Sequence, residues 1–203
     1  MPQSNNPLKP VGDIALKLKK RLTAMLKLWQ KMFKNLLGFL KNLIGAIKKG
    51  LTQFIASVGK HVADGFLRAA DKLIAAAAGL LADLREGVLG IDKVLDLIAK
   101  ATDPRAVIAR LKSFIKKLAQ AVAALLARII AFIAELNVIA PLLQTIDSFR
   151  AVLQLLFKWV AQVSGALSVV KTVRAMLKKA LTEVKTTIKE VAEMMRELAA
   201  IPA

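Results

Sequence analysis

The chain has one histidine and neither cysteine nor tyrosine, and this narrows the chemistry it can perform. His61 lacks a second imidazole or a thiolate with which to hold a metal or build a nucleophilic triad. Asp64 follows His61 at helical spacing, but one imidazole and one carboxylate do not bind a metal ion. The missing cysteines also exclude a disulfide framework and a thiol nucleophile. Asp92 and Asp96 share a helical face, with Lys93 and Lys100 nearby, and Asp96 with Lys100 is an ordinary i,i+4 surface pair. Glu183, Glu190 and Glu197 recur every seven residues with Glu193 beside them, the pattern of a solvated flank. Gly45 to Thr52 imitates a phosphate-binding loop, but Leu51 stands where the lysine is required and no strand precedes it. No catalytic residue, cofactor or metal is expected, and the function is expected to be non-enzymatic.

The reactive residue present in quantity is lysine. Thirty-two Lys and Arg against fourteen Asp and Glu give a net charge of +18, in a chain that is 56% hydrophobic with mean hydropathy +0.53. Charge and grease together imply amphipathic helices. Residues 1–60 carry twelve basic residues, eleven of them lysine, against the single acid Asp13. Within them Lys20, Lys27, Lys34, Lys41 and Lys48 repeat every seven residues, a cationic stripe on one helix edge. Trp29 and Phe33 sit among these lysines and are candidate anchors in a lipid interface, with core packing the competing role for Trp29.

Three helical tracts must carry these residues. The first, Ile14 to Ala101, opens with rows Leu26, Phe33, Leu40, Ile47, Phe54 and Leu22, Trp29, Leu36, Leu43 at heptad spacing. After residue 50 an eleven-residue repeat takes over (Leu51, Val62, Leu73, Leu84, Leu95), which predicts a straight or slightly right-handed stripe. Breaks are expected near Gly50 and at Gly87 to Gly90. Thr102-Asp103-Pro104 is a capping acid followed by proline at the first helical position, and it restarts the chain. The second tract, Arg105 to Ala140, has Ile108, Ile115, Val122, Ile129, Leu136 in one row and Leu111, Leu118, Leu125, Phe132, Ile139 in the other, with a back face of alanine. Pro141 is expected to open the third tract, where Phe149, Leu156, Val163, Val170, Leu177, Val184, Val191 and Leu198 keep heptad spacing. Its companion row, Ile146, Leu153, Val160, Leu167, Leu181, Ile188 and Met195, is interrupted by Arg174, which either sets register or reaches solvent. Ser164-Gly165 is where this tract could fold back.

The fold expected is all-α: long amphipathic helices forming a helical bundle or extended coiled coil, self-associating into a homo-oligomer. The expected divisions are a flexible arm at 1–12, a cationic amphipathic region at 13–103 and a heptad-repeat hairpin or coiled coil at 104–203. Ile115, Val122, Ile129, Leu156, Val163, Leu177 and Val184 are the expected oligomer core. The longest charge-free stretch, Trp159 to Val170, has twelve residues. That is short of the about 20 a membrane span needs, so neither a transmembrane helix nor a signal peptide is expected.

Three functions fit. The amphipathic helices engage an anionic membrane, with lysines contributing roughly 1 kcal/mol each near an anionic leaflet. Alternatively they form a structural coiled coil whose basic surface meets an acidic protein surface. In its helical, basic, Ala-, Leu-, Ile- and Gly-rich composition the chain resembles stretches of phage-tail tape-measure and related injection-system proteins, which implies such a structural role. Thirdly, non-specific nucleic-acid coating would follow from the charge, although nine arginines scattered among 23 lysines provide no base-reading motif.

Overall fold

The computed structural model describes residues 6–202. These form α1 (Lys9–Lys49), α2 (Leu51–Val58), α3 (Lys60–Ala99), α4 (Pro104–Ser148), α5 (Arg150–Leu156), a 3-10 turn at Lys158–Val160, and α6 (Ala161–Ala200). No strand occurs among the described residues, and the chain is an all-α helical bundle. Of the expected arm, residues 1–5 lie outside the described residues. α1 starts at Lys9, and Leu8 and Val11 are buried.

The helix boundaries follow local chemistry, with several differences from expectation. Asp103 caps α4 by accepting the Arg105 N–H at 3.0 Å, and Pro104 takes the first helical position, where its missing N–H costs nothing. α1 ends at Lys49 before Gly50, as expected, but α2 is only eight residues long. Gly59, at φ 87° and ψ 145°, then turns the chain in a region closed to side chains. No break occurs at Gly87 to Gly90. Gly87 is buried inside α3, where an added Cβ would come within 3.2 Å of Leu22 Cδ1, so this glycine gives α1 a close approach. Nor does Pro141 open a helix. α4 runs through it to Ser148, because Pro141 and Asn137 both face solvent, where water takes the carbonyl that proline leaves without a donor. The reversal falls later, at Phe149 to Val160. Asp147 holds it by accepting from Arg150 Nε at 3.1 Å and Nη2 at 2.6 Å and from Ser164 Oγ at 3.1 Å. Ser164 and Gly165 are helical.

The chain divides into two compact units, Met1–Leu28 with Leu80–Ala127 and Ala180–Ala203, and Trp29–Gly79 with Arg128–Lys179. Each of the four long helices supplies a segment to each unit. In the first unit Gly12 faces Ile98 and Gly87 faces Leu22, so α1 and α3 run antiparallel, and Gly90 faces Leu118 of α4. Ala119 of α4 shares a groove with Ile188, Val191 and Met195 of α6, while Arg21 of α1 reaches Glu190 of α6. These contacts close the ring α1–α3–α4–α6, the arrangement of an up-down-up-down bundle. In the second unit Gly65 faces Leu142 and Gly165 faces Phe39. Phe33 of α1 meets Phe132 of α4 with ring centroids 5.1 Å apart.

Which residues fill the core was only partly foreseen. Both expected rows of α4 are buried from Leu111 onward, while Ile108 is half-buried. In α3 the buried residues are the rows Ala63, Ala70, Ala77, Leu84, Ile91 and Phe66, Leu73, Leu80, Gly87, Val94, with Ala69 beside them. That is heptad packing, and the eleven-residue repeat is met only in part: Val58, Ala69, Leu80 and Ile91, eleven apart, are buried, whereas of the row from Leu51 to Leu95 only Leu73 and Leu84 are. In α6 the row from Val163 to Leu198 is buried throughout, but Phe149 and Leu156 of the same expected row lie in the reversal and are exposed. Of the expected companion row Ile146, Leu153 and Val160 are buried before α6, but within α6 the buried companions are Ala166, Val173, Ala180, Thr187 and Met194. The bulkier Leu167, Leu181, Ile188 and Met195 are half-buried at its rim. Arg174 belongs to that rim row and is exposed, so it interrupts nothing.

Candidate functional site

Lys20, Lys27, Lys34, Lys41 and Lys48 are all exposed along α1. Heptad spacing, about 3.5 residues per turn, keeps them on one edge while the apolar rows turn inward. The described ion pairs engage other cations, namely Lys17 and Arg21 with Glu190, Lys19 with Asp92, Lys100 with Asp96 and Arg150 with Asp147. Trp29 and Phe33, expected as interfacial anchors, are 1% and 0% exposed. Their rings lie 6.1 Å apart and Phe33 packs on Phe132, so the bundle's own core consumes the face that would have met lipid.

The expected oligomer core has the same fate. Ile115, Val122, Ile129, Val163, Leu177 and Val184 are buried within the single chain. Leu156 alone of that set is exposed, at 46%.

Leu156 belongs to a cluster of exposed apolar residues in and beside α5. Val152 is 50% exposed and Leu155 88%, and Phe149 stands exposed just before the helix. The cause is local. Seven residues form too short a helix to bury two faces, and only Leu153 points into the core. Phe157 then takes an extended conformation (φ −138°, ψ 119°) and ends the helix. Trp159, half-buried in the following turn, packs on Phe54 at 6.1 Å and on Phe157 at 5.2 Å between centroids. The second unit carries fifteen Lys and Arg against only Asp64, Asp71, Glu135 and Asp147, a net +11. An exposed leucine tip in a cationic unit can enter the headgroup region of an anionic bilayer. Sequence reading missed this tip because Phe149 and Leu156 fit a heptad row. The available signal was the charge-poor run Val152 to Trp159, which has no helix-breaking residue to explain it.

The first unit holds a site of another kind. Arg21 donates to Glu190 in a two-pronged pair, with Nη2 to Oε1 at 3.0 Å, and Lys17 Nζ lies 3.0 Å from the same carboxylate. Glu190 is buried, which corrects its expected place on a solvated flank. Arg21 is the only arginine among the first sixty residues, and a planar guanidinium suits a partly buried carboxylate better than an ammonium does. That substitution in a lysine-only segment was the clue. Asp96 and Lys100 form the expected exposed pair at 2.9 Å.

His61 is exposed at the start of α3, and no group of three or more His, Asp or Glu capable of holding a metal occurs among the described residues. Gly45 to Thr52 spans the end of α1 and the start of α2, not a strand-to-helix loop. Contrary to the charge-free-run argument, α4 is long and apolar enough to cross a membrane. One 18-residue window has mean hydropathy 2.1, and a third of it is buried.

No protein-family model matches the chain, and neither characterised proteins nor solved structures give a match.

Proposed function

We propose that this is a non-enzymatic, membrane-peripheral helical bundle that docks on an anionic bilayer. The observation that carries the reading is Leu155, 88% exposed between two further exposed apolar residues, Val152 and Leu156, in a unit of net charge +11. Fully burying a leucine side chain contributes about 1.5–3 kcal/mol. Each lysine brought near an anionic leaflet adds roughly 1 kcal/mol. One tip and a few lysines therefore suffice for reversible association, while the apolar faces of the long helices stay closed. Self-association, if part of the function, must use surface other than the rows already buried within one chain. The exposed alanine face of α4 (Ala123, Ala127, Ala131, Ala134) is one surface open to it.

The test is flotation with phosphatidylglycerol vesicles and with phosphatidylcholine vesicles, at low and high salt. Binding to the anionic vesicles alone, weakened by salt, and lost in the variant carrying Glu at positions 20, 27, 34, 41 and 48, is the expected result. Equal binding to both lipids, or unchanged binding by that variant, overturns the reading. A second reading, in which the bundle opens and α4 spans the bilayer, is favoured by the apolar window in that helix. Release of a dye trapped in the vesicles would separate it from peripheral docking.

A further inference from the structure

Beside the α5 tip lies a cleft of about 650 Å³ formed where the end of α1 and the start of α2 face the reversal that follows α5. Its polar lining is Lys41, Lys49, Lys158, Asn42, Gln53 and Gln162, with no acid among the lining residues. The remaining wall is apolar and aromatic, including Leu156, Phe157 and Trp159. The nearest acid in sequence to this wall, Asp147, is engaged by Arg150 and Ser164.

We propose that this cleft binds the phosphate of an anionic lipid headgroup. Three ammonium groups around one space repel each other unless an anion lies between them, and three side-chain amides offer further donors to phosphate and headgroup oxygens. The volume falls within the usual range for small-molecule sites, and it exceeds the needs of a bare phosphate ion. The lining also has a direction. Leu156 forms part of the wall, and the adjoining Leu155 is the most exposed large apolar residue described. A ligand with an anionic head and an apolar tail matches both ends, and free phosphate matches one. The Phe157 ring lies against Gly50, where an added Cβ would collide with it, and Trp159 packs on Phe157 at 5.2 Å between centroids. The assignment rests on the docking reading given above and names the chemistry recognised at the docked surface.

The experiment is calorimetric titration of the full chain with dihexanoyl phosphatidylglycerol below its micellar concentration, with dihexanoyl phosphatidylcholine, and with inorganic phosphate. The short-chain anionic lipid is expected to bind at least about tenfold more tightly than either of the others. The double variant Lys49→Glu/Lys158→Glu should lose that binding by roughly tenfold or more, from two charge reversals at the phosphate. Lys112→Glu/Lys116→Glu, on exposed α4 lysines outside both the cleft and the α1 stripe, should leave it unchanged. Thermal melts followed by circular dichroism confirm that both variants fold. Equal affinity for inorganic phosphate, equal affinity for the zwitterionic lipid, or unaltered binding by the Lys49/Lys158 variant overturns the assignment. Flotation separates the two readings. A folded wild-type chain that floats on anionic vesicles but ignores the short-chain lipid ends the headgroup site alone, and a chain that never floats ends the docking reading.

Discussion

The two units use the same four helices and hold them together differently. The first contains seventeen Lys and Arg against ten Asp and Glu, and only Phe114 among the ten aromatic residues. The second contains fifteen against four, and the other nine aromatics. Accordingly the first is keyed by ion pairs, with Arg21 and Lys17 on Glu190 and Lys19 on Asp92 at 2.7 Å. In the second, rings pack against rings (Trp29 on Phe33, Phe33 on Phe132, Phe54 on Trp159) and most of the charge is left facing outward. An ion pair fixes register because only one rotamer set satisfies it. Ring packing contributes more apolar burial but tolerates more adjustment. The difference teaches that lysines freed from internal pairing are available to a partner, and they are concentrated in the unit that also exposes leucine.

Substitutions can break this comparison or sharpen it. The largest effect is expected from Phe132→Ala, which empties the ring contact beneath Phe33 and should cost about 3–5 kcal/mol in urea unfolding. Glu190→Gln comes next. It removes the charge that Arg21 and Lys17 share and should cost roughly 1.5–3 kcal/mol, the range for hydrogen bonds to charged groups. If Glu190→Gln proves as damaging as Phe132→Ala, the second unit's aromatic packing is not the stronger element and the contrast fails. The smallest changes are expected at the surface. Lys100→Ala breaks an exposed helical pair and Leu155→Ser removes an exposed tip, and each should shift stability by no more than about 0.5 kcal/mol. Leu155→Ser should still lower flotation on anionic vesicles markedly while Lys100→Ala leaves it alone. Equal flotation of the two variants would detach the exposed leucine from any binding role.

Much of this architecture was legible in the residues. The α4 rows, the helix start at Asp103-Pro104, the stop before Gly50 and the outward lysines of α1 all follow from spacing and capping chemistry that act within a few residues. Reading by bulk failed wherever the core is built from small residues. Ala63, Ala70, Ala77 and Gly87 in α3, and Ala166, Ala180 and Thr187 in α6, carry little hydrophobic signal, yet they are buried because a neighbouring helix approaches them closely. Trp29 and Phe33 show the converse. Their surroundings in the sequence are lysines, and only the position of Phe132, a hundred residues away, turns them inward.

The sequence by itself determined that the chain is helical, that its apolar residues fall on stripes, and that its charge is cationic and greatest near the beginning, because periodicity and composition are properties of single helices. Tertiary structure decided which stripe faces which. It placed the reversal at Phe149 to Val160 instead of at Pro141, turned Glu190 from a flank residue into the partner of Arg21, and left Leu155 and Leu156 of α5 without cover. Those outcomes depend on how closely two helices approach and what lies across the gap, and no one-dimensional pattern encodes that distance.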